Sequence, residues 1–417
     1  MRPAHTRQRG VSMPQGRRFA VLVLALSWPL LGLIGCGTIK RNPVPLEQID
    51  QAQIPDLPGI RSYGAVYSES FQKDLVQSVR DEPPGLYPLN ADGTKPYAIL
   101  ILSGGGEKGA FGAGFLNGWT QAGTRPMFKA VTGISTGALI APFAFLGPDY
   151  DKTLRGLFTS IDKKDIIKMR LGTDSLSNSR PLATLIAQYV TEDVLQKVVA
   201  EYARGRRLYI GTTNMDAQRL VIWNMGAIAH SDHPASLALF RNVMLASASI
   251  PVFMPPVMFE VEVGGKRYDE MHADGGTVAQ LFFIGITMDP VGARKELGIK
   301  GGGAKLYIIR NDQSDPVPDQ VERKLTDIAS RTIHTVMKAQ SQGDIRRIYA
   351  LTKLNDIDFN YVEIPKSYVK KEKGMFNTNE MRRLFALGVE TGAAKKRWRK
   401  KPYLWEHYEK LKRAARK

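Results

Sequence analysis

Residues 131–147 read VTGISTGALIAPFAFLG and set one serine, Ser135, between two glycines. An apolar run leads into the serine. After Gly137 no glycine interrupts the chain until Gly147. The pattern predicts a strand, a sharp turn and a helix. G-x-S-x-G in that setting is a nucleophile elbow, a strained turn that lifts the serine hydroxyl clear of the backbone. Gly133 and Gly137 remove side chains that would clash there. The hydroxyl also sits at a helix N-terminus, where developing negative charge is favoured. The same five residues suit a plain serine N-cap flanked by glycines, so the surrounding chain has to decide.

Outward from Ser135 the chain alternates. YAILILS (97–103) is a continuous apolar run of the kind buried on both faces of a sheet. FKAVTG (128–133) and LYIGTTNM (208–215) read as further strands, and QRLVIWNM (218–225) pairs with the last across a short turn. Helical patterns fill 110–122, 136–146, 181–203 and 235–248. Strands alternating with helices predict an α/β sheet covered on both faces. VMFEVEVGGKRYDEM (257–271) reads as a hairpin turning at Gly264 and Gly265. KLYIIRN (305–311) and DFNYVEI (358–364) add strands. A long helix is predicted over 320–350, with Leu325, Ile328, Thr332, Val336 and Ala339 on one stripe, and a late helix over 377–394. GARKELGIKGGGAK (292–305) reads as a loop.

Two further motifs bear on Ser135. SGGGEKGAFGAGFL (103–116) directly follows the first buried strand, and a glycine-rich turn entering a helix offers backbone N–H groups to an anion. GGGEKG fits G-x-G-x-x-G, but a dinucleotide site wants an acid about twenty residues on, and TRPMFKAVT (124–132) has none. A P-loop needs Lys and Ser or Thr after its last glycine, and Gly109 is followed by Ala110. The remaining reading is an oxyanion hole, with the Gly105 and Gly106 amides aimed at a tetrahedral intermediate. In MHADGGTVAQ (271–280), Asp274 ends a predicted strand before two glycines, which suits a bared carboxylate and equally a common turn.

In this order, SGGGEKG, GISTG and ADGG resemble the three signatures of the patatin-like phospholipases. ASASIPVFMPPV (246–257) resembles the segment such proteins carry before the last signature. The likeness covers roughly residues 97–290. It implies a three-layer αβα fold with a mostly parallel central sheet, and a lipid acyl hydrolase that works through a Ser–Asp dyad without histidine. Carried over, Ser135 is the nucleophile, Asp274 its base, and Gly104, Gly105 and Gly106 line the oxyanion loop. The chain departs from the commonest form at Ser103, where Asp is frequent, at Lys108, where Arg is frequent, and at Gly276, where Ala is frequent. None of these removes a reacting group, although Lys108 lacks the bidentate fork of Arg.

The dyad carries a physical condition. A serine needs a base within hydrogen-bond reach, and an ordinary Asp, with a pKa of about 3.9, is a weak one at neutral pH. Burial raises it, so the reading requires a buried Asp274. A Ser–Asp–His order, as in α/β-hydrolases, leaves only His334 and His407 after Asp274. His334 falls within the predicted long helix, where it is solvated or capping. His272 shares the predicted strand of Asp274 as a neighbour.

The chain has 417 residues and a formal net charge of +18. Residues 1–18 carry five arginines and no acid. The apolar run FAVLVLALSWPLLGLIG (19–35) then ends at Cys36, the only cysteine. This is a secretory signal pattern, and LIGC resembles the lipobox of bacterial lipoproteins. That likeness implies cleavage before Cys36, a diacylglycerol on its sulfur and acylation of its amine. Gly37 after the cysteine favours the outer membrane, facing the periplasm. Loss of residues 1–35 leaves +13, and residues 395–417 alone hold +9. After Pro402, Leu404, Tyr408, Leu411 and Ala415 share one helical face. A basic amphipathic helix suits an anionic membrane surface, and equally a solvated helix packed on the domain. Nucleic acid is a poor fit, since no binding motif appears.

The expected division is a leader (1–35), a tether and N-terminal segment (36–96) with an extended Pro- and Gln-rich stretch at 37–60, a catalytic domain (97–290), a C-terminal extension completing the fold (291–394) and the basic tail (395–417). The expected substrate is a phospholipid or another acyl ester. No metal or cofactor is implied. An esterase or thioesterase of the same fold, or a lipid-binding lipoprotein with a silent dyad, are the alternatives.

Overall fold

A computed structural model describes residues 39–166, 168–169, 174–372 and 374–414. The chain divides into two units, 1–41 and 42–417. Nearly all of the first, with the leader and Cys36, lies outside the described residues. The fold described here is that of the second.

Nine strands form its main sheet: β1 (Arg61–Tyr63), β2 (Ala98–Leu102), β3 (Ala130–Ile134), β4 (Arg207–Asn214), β5 (Arg219–Asn224), β6 (Val257–Val263), β7 (Lys266–Asp274), β8 (Lys305–Arg310) and β9 (Asp358–Glu363). The order is β1-β5-β4-β3-β2-β8-β9, with β7 on β4 and β6 on β7. The five central strands, β4 to β9 in that order, are parallel. The pairs added around β4 are antiparallel. The apolar runs follow from burial on both faces. Leu100 and Leu102 enter one core and Ile101, between them, the other; in β8, Ile309 joins the first and Ile308 the second.

The larger core is roofed by α2 (Gly109–Gln121), α3 (Thr136–Leu146), α4 (Asp151–Thr159), α5 (Arg180–Tyr189), α6 (Glu192–Ala203), α7 (Ser236–Ser247) and α9 (Thr378–Ala393). The other face is covered by α1 (Glu69–Arg80), through Phe71, and by α8 (Leu325–Leu354), through Ile345, Ile348 and Tyr349. A last helix, α10 (Tyr403–Ala414), closes the described chain. The result is the α/β, three-layer, mostly parallel architecture that the sequence implies.

Helices α2 and α9 cross with backbones in contact. A Cβ on Gly114 would stand 2.1 Å from the Phe385 carbonyl oxygen, and one on Gly118 2.1 Å from that of Val389. Gly388 and Gly392 face the Phe111 and Phe115 carbonyls at 2.2 Å each. Only glycine permits this approach, and it fixes the helix that leads out of the Gly104–Gly106 loop.

Five expectations need correction. The stretch read as an extended tether packs on the domain from Asn42 on, with Val44, Ala52, Ile54, Leu57 and Ile60 buried in the larger core, because its apolar residues find a surface to cover. The helix read over 181–203 is two helices. Thr191 is extended and caps the second with its hydroxyl, accepting from Val194 N at 3.4 Å. The stretch read as a loop over 292–305 begins inside a helix, Pro290–Glu296. The apolar stripe of α8 does not face the core: Leu325 is 85% and Val336 58% exposed, and burial starts only at Ser341. The boundary drawn at 395 also falls within packed chain. Trp398 stacks among Phe115, Trp119 and Tyr307, and Arg399 exchanges two 2.9 Å backbone hydrogen bonds with Tyr361 of β9.

Candidate active site

Strand β4 brings the two reacting candidates together. One of its edges pairs first with β3, as far as Ile134 opposite Gly211, and then with β7, starting at Asp274 opposite Thr212. The C-terminal ends of β3 and β7 therefore meet on one strand edge. Ser135 leaves β3 where Asp274 leaves β7, although 139 positions separate them.

Ser135 sits at φ 54°, ψ −125°, a region that residues with a side chain seldom occupy. The turn is tight enough to demand its glycines. A Cβ on Gly133 would come within 2.5 Å of the Gly137 carbonyl oxygen, and one on Gly137 within 2.3 Å of that of Leu102. The turn is held from outside by Ser247, at the end of α7. Its hydroxyl accepts from Ser135 N at 3.0 Å and donates to the Gly211 carbonyl at 2.7 Å.

The Ser135 hydroxyl donates to Asp274 Oδ2 at 2.6 Å. Asp274 Oδ1 accepts from Gly276 N at 2.7 Å. Asp274 is fully buried and Ser135 nearly so. Burial penalises the charged carboxylate and pushes its pKa up to about 7, against the lowering effect of the Ser135 hydroxyl and the Gly276 amide. A carboxylate in this state is a competent proton acceptor near neutral pH.

The glycine loop lies against the serine. A Cβ on Gly104 would be 3.2 Å from the Ser135 Cβ and 2.6 Å from Gln280 Oε1. Gly105, at φ 151°, has no room for a side chain beside the Asn311 carbonyl, and Gly106 has φ 57°. Asn311 fastens the loop at both ends. Its Nδ2 donates to the Ser103 carbonyl at 2.9 Å, its Oδ1 accepts from Gly112 N at 3.0 Å, and its own N donates to Ser103 Oγ at 2.8 Å. The Gly104 amide reaches toward the Gln280 carbonyl at 3.4 Å. Lys108 pairs with Asp312 at 2.5 Å, a single-point contact that needs no guanidinium.

Neither histidine reaches the pair. His272 is fully buried, but its Nδ1 meets Thr212 Oγ1 at 2.8 Å and its Nε2 meets Glu270 Oε2 at 3.1 Å. Trp223 and Phe259 enclose its ring. His334 is exposed on α8. Ser247, Asn311 and Gln280 went unnoticed in the sequence. All three lie inside segments quoted there, yet nothing in the composition of those segments marks them as supports.

Beside Ser135 opens a cleft. Its walls are apolar, among them Leu139, Phe158, Leu182, Met254 and Phe376, and Ser135 stands at its lining with Gly106 and Glu107.

Residues 100–284 match the family model of the patatin-like phospholipases. SGGGEKG, GISTG and ADGG, with Ser135 and Asp274, all fall within that stretch. A search of curated protein sequences returns no match. Among solved structures the chain is similar to a crystal structure of VipD from Legionella pneumophila, with a TM-score of 0.40, 11% identity, and coverage of 73% of this chain and 68% of that chain.

Proposed function

We propose that the protein is a membrane-anchored lipid acyl hydrolase that cleaves fatty acyl esters of phospholipids through Ser135 and Asp274. The observation that carries the reading is the 2.6 Å Ser135–Asp274 hydrogen bond, formed by a fully buried carboxyl at the wall of an apolar cleft. The acyl chain fills the cleft and brings its ester carbonyl to Ser135. Ser135 Oγ attacks the carbonyl carbon as its proton passes to Asp274 Oδ2. The oxyanion faces the Gly104–Gly106 loop. With the Gly104 amide directed at Gln280, the Gly105 and Gly106 amides are the donors on which this reading relies. Collapse breaks the ester bond, and the leaving alkoxide takes the proton back from Asp274. A water then gives its proton to Asp274 and attacks the acyl-enzyme. The fatty acid departs, and Ser135 recovers its proton.

Fatty acid release from phospholipid vesicles tests this. Ser135→Ala and Asp274→Asn are expected to lower the rate by about 10²-fold or more with the fold intact by circular dichroism. Wild-type rates in Ser135→Ala would remove the nucleophile assignment. Attachment through Cys36 and an outer-membrane location rest on the leader sequence, which lies outside the described residues. Cys36→Ser is expected to leave an unprocessed precursor of higher mass; a normal mature mass would exclude lipidation there.

A further inference from the structure

The turn that presents Asp274 is held from its far side by Gln280, a buried residue just beyond it. Gln280 Nε2 donates to the Gly276 carbonyl at 3.0 Å. Gly276 in turn gives its own N–H to Asp274 Oδ1 at 2.7 Å. The amide has room because residue 276 lacks a side chain: a Cβ there would stand 2.2 Å from Gln280 Nε2. On its other side Gln280 meets the glycine loop. Its backbone carbonyl accepts from Gly104 N at 3.4 Å, and its Oε1 would lie 2.6 Å from a Cβ on Gly104. Helix α8 anchors Gln280. The buried Asp344 carboxylate accepts from Gln280 N at 2.8 Å and Leu281 N at 3.3 Å through Oδ2, while Oδ1 takes Arg347 Nη2 at 2.6 Å. Buried N–H groups without an acceptor are costly, so this pairing fixes the backbone of Gln280. Met337, two helical turns before Asp344 and on the same face, sets its Cε 2.8 Å from where a Gly276 Cβ would be.

We infer that Gln280 is a positioning residue for the reaction of Ser135 and Asp274: it joins the turn that carries the base to the loop that carries the oxyanion donors and sets the two at one spacing. The choice of reaction rests on the acyl-hydrolase reading. Acyl transfer needs both parts in register, because the proton leaves Ser135 for Asp274 as negative charge develops at the loop. A displacement of about 1 Å between reacting groups can cost 10²-fold in rate. The sheet alone does not supply this register. Gly104 follows β2 and Asp274 ends β7, and these strands are not neighbours. Gln280 spans the gap, its side-chain amide on one part and its backbone carbonyl on the other. It does not line the cleft, so its effect falls on the reaction step and not on acyl binding. The proton affinity of Asp274 is set by burial, against the Ser135 hydroxyl and the Gly276 amide. Glu270 and His272 on the same strand are occupied with each other, with Arg61 and with Thr212, and Asp344 on α8 is occupied as described. The Gly276 amide is the contact that Gln280 steadies.

Gln280→Met keeps the length of the side chain and removes its donor. On a short soluble ester, kcat is expected to fall about tenfold or more, with KM little changed. The pH dependence of fluorophosphonate labelling at Ser135 separates positioning from loosened packing. With the Gly276 turn freed, Asp274 loses part of the amide contact that lowers its pKa. The labelling midpoint is then expected to move up by about half a unit to one unit. An unmoved midpoint, with or without a loss of kcat, overturns the inference. A second measurement does not depend on catalysis. Gly276→Ala drives a methyl into the Gln280 amide. It is expected to lower the urea midpoint in the unsubstituted protein, and to lower it much less in Gln280→Ala, where the space is open. The effect of the added methyl on the unfolded chain is common to both backgrounds. Equal losses in the two overturn the inference as well. If the unsubstituted protein is neither labelled nor active, the hydrolase reading fails, and the coupling between positions 276 and 280 still decides whether Gln280 holds the Asp274 turn.

Discussion

A carboxyl with no solvent contact and a pKa near 7 is in part protonated at neutral pH, and the fold carries the cost of ionising it. Asp274 binds its proton more tightly in the folded state than in the unfolded one, whose pKa is near the ordinary 3.8. Stability therefore falls as pH rises from about 4 to about 7, and the deficit is complete above that window. The span from 3.8 to about 7 corresponds to roughly 4 kcal/mol as an upper bound. Asp274→Asn keeps the shape and a partner for Gly276 N but cannot ionise. It is expected to be inactive and yet more stable than the wild type at pH 8, by one to a few kcal/mol in urea unfolding, with the gap closing toward pH 4. A destabilised variant at pH 8 would mean that the carboxylate is better solvated than its burial indicates. That Ser135, Asp274 and the three loop glycines belong to one place was legible from the order of three motifs and their resemblance to a known family. The burial that tunes Asp274 was not, because it depends on β4 joining two strands far apart in sequence.

At the scale of elements, local pattern identified most strands, since runs such as AILIL and KLYII carry apolar residues on both faces. It failed where an element's surroundings decide. The α8 stripe has the periodicity of a core helix and faces water, because periodicity reports amphipathicity and not what lies opposite. The crossing of α2 and α9 was also illegible: Gly114 and Gly118 face Gly388 and Gly392 from the other end of the chain. That crossing sets the direction in which α2 leaves the Gly104–Gly106 loop. Gly118→Leu adds a side chain where the Val389 carbonyl stands 2.1 Å from an ideal Cβ. Overpacking of this kind costs about 1–3 kcal/mol, occasionally more. The variant is expected to lose thermal stability, and to lose activity more than Gly123→Leu, a site with nothing within 4 Å of its Cβ but with the strain of φ 65°. Equal activity in the two would mean that the crossing does not position the loop.

For the whole molecule, the basic end of the chain splits into two parts. Residues 398–400 belong to the fold. Besides Trp398 and Arg399, Lys400 pairs with Asp358 at 2.7 Å. Beyond them α10 leaves Tyr408 and Leu411 exposed, while Trp405 stacks on Tyr349 of α8. Charge counting alone placed the whole segment in one class. Ending the chain at 402 is expected to leave most of the melting temperature in place. Ending it at 394 opens the aromatic cluster around Trp119 and is expected to lower it sharply. Similar melting temperatures for the two would show that the Trp398 contacts add little.

The central claim is that Ser135 is a nucleophile activated by Asp274. It is tested most directly by intact-mass and peptide mapping after treatment with a fluorophosphonate across a range of pH. The account predicts one adduct per chain, on Ser135, absent from Ser135→Ala, and a labelling rate that rises with pH through a midpoint near 7 as Asp274 ionises. An adduct that persists in Ser135→Ala, no adduct at any pH, or a rate unchanged in Asp274→Asn would contradict it.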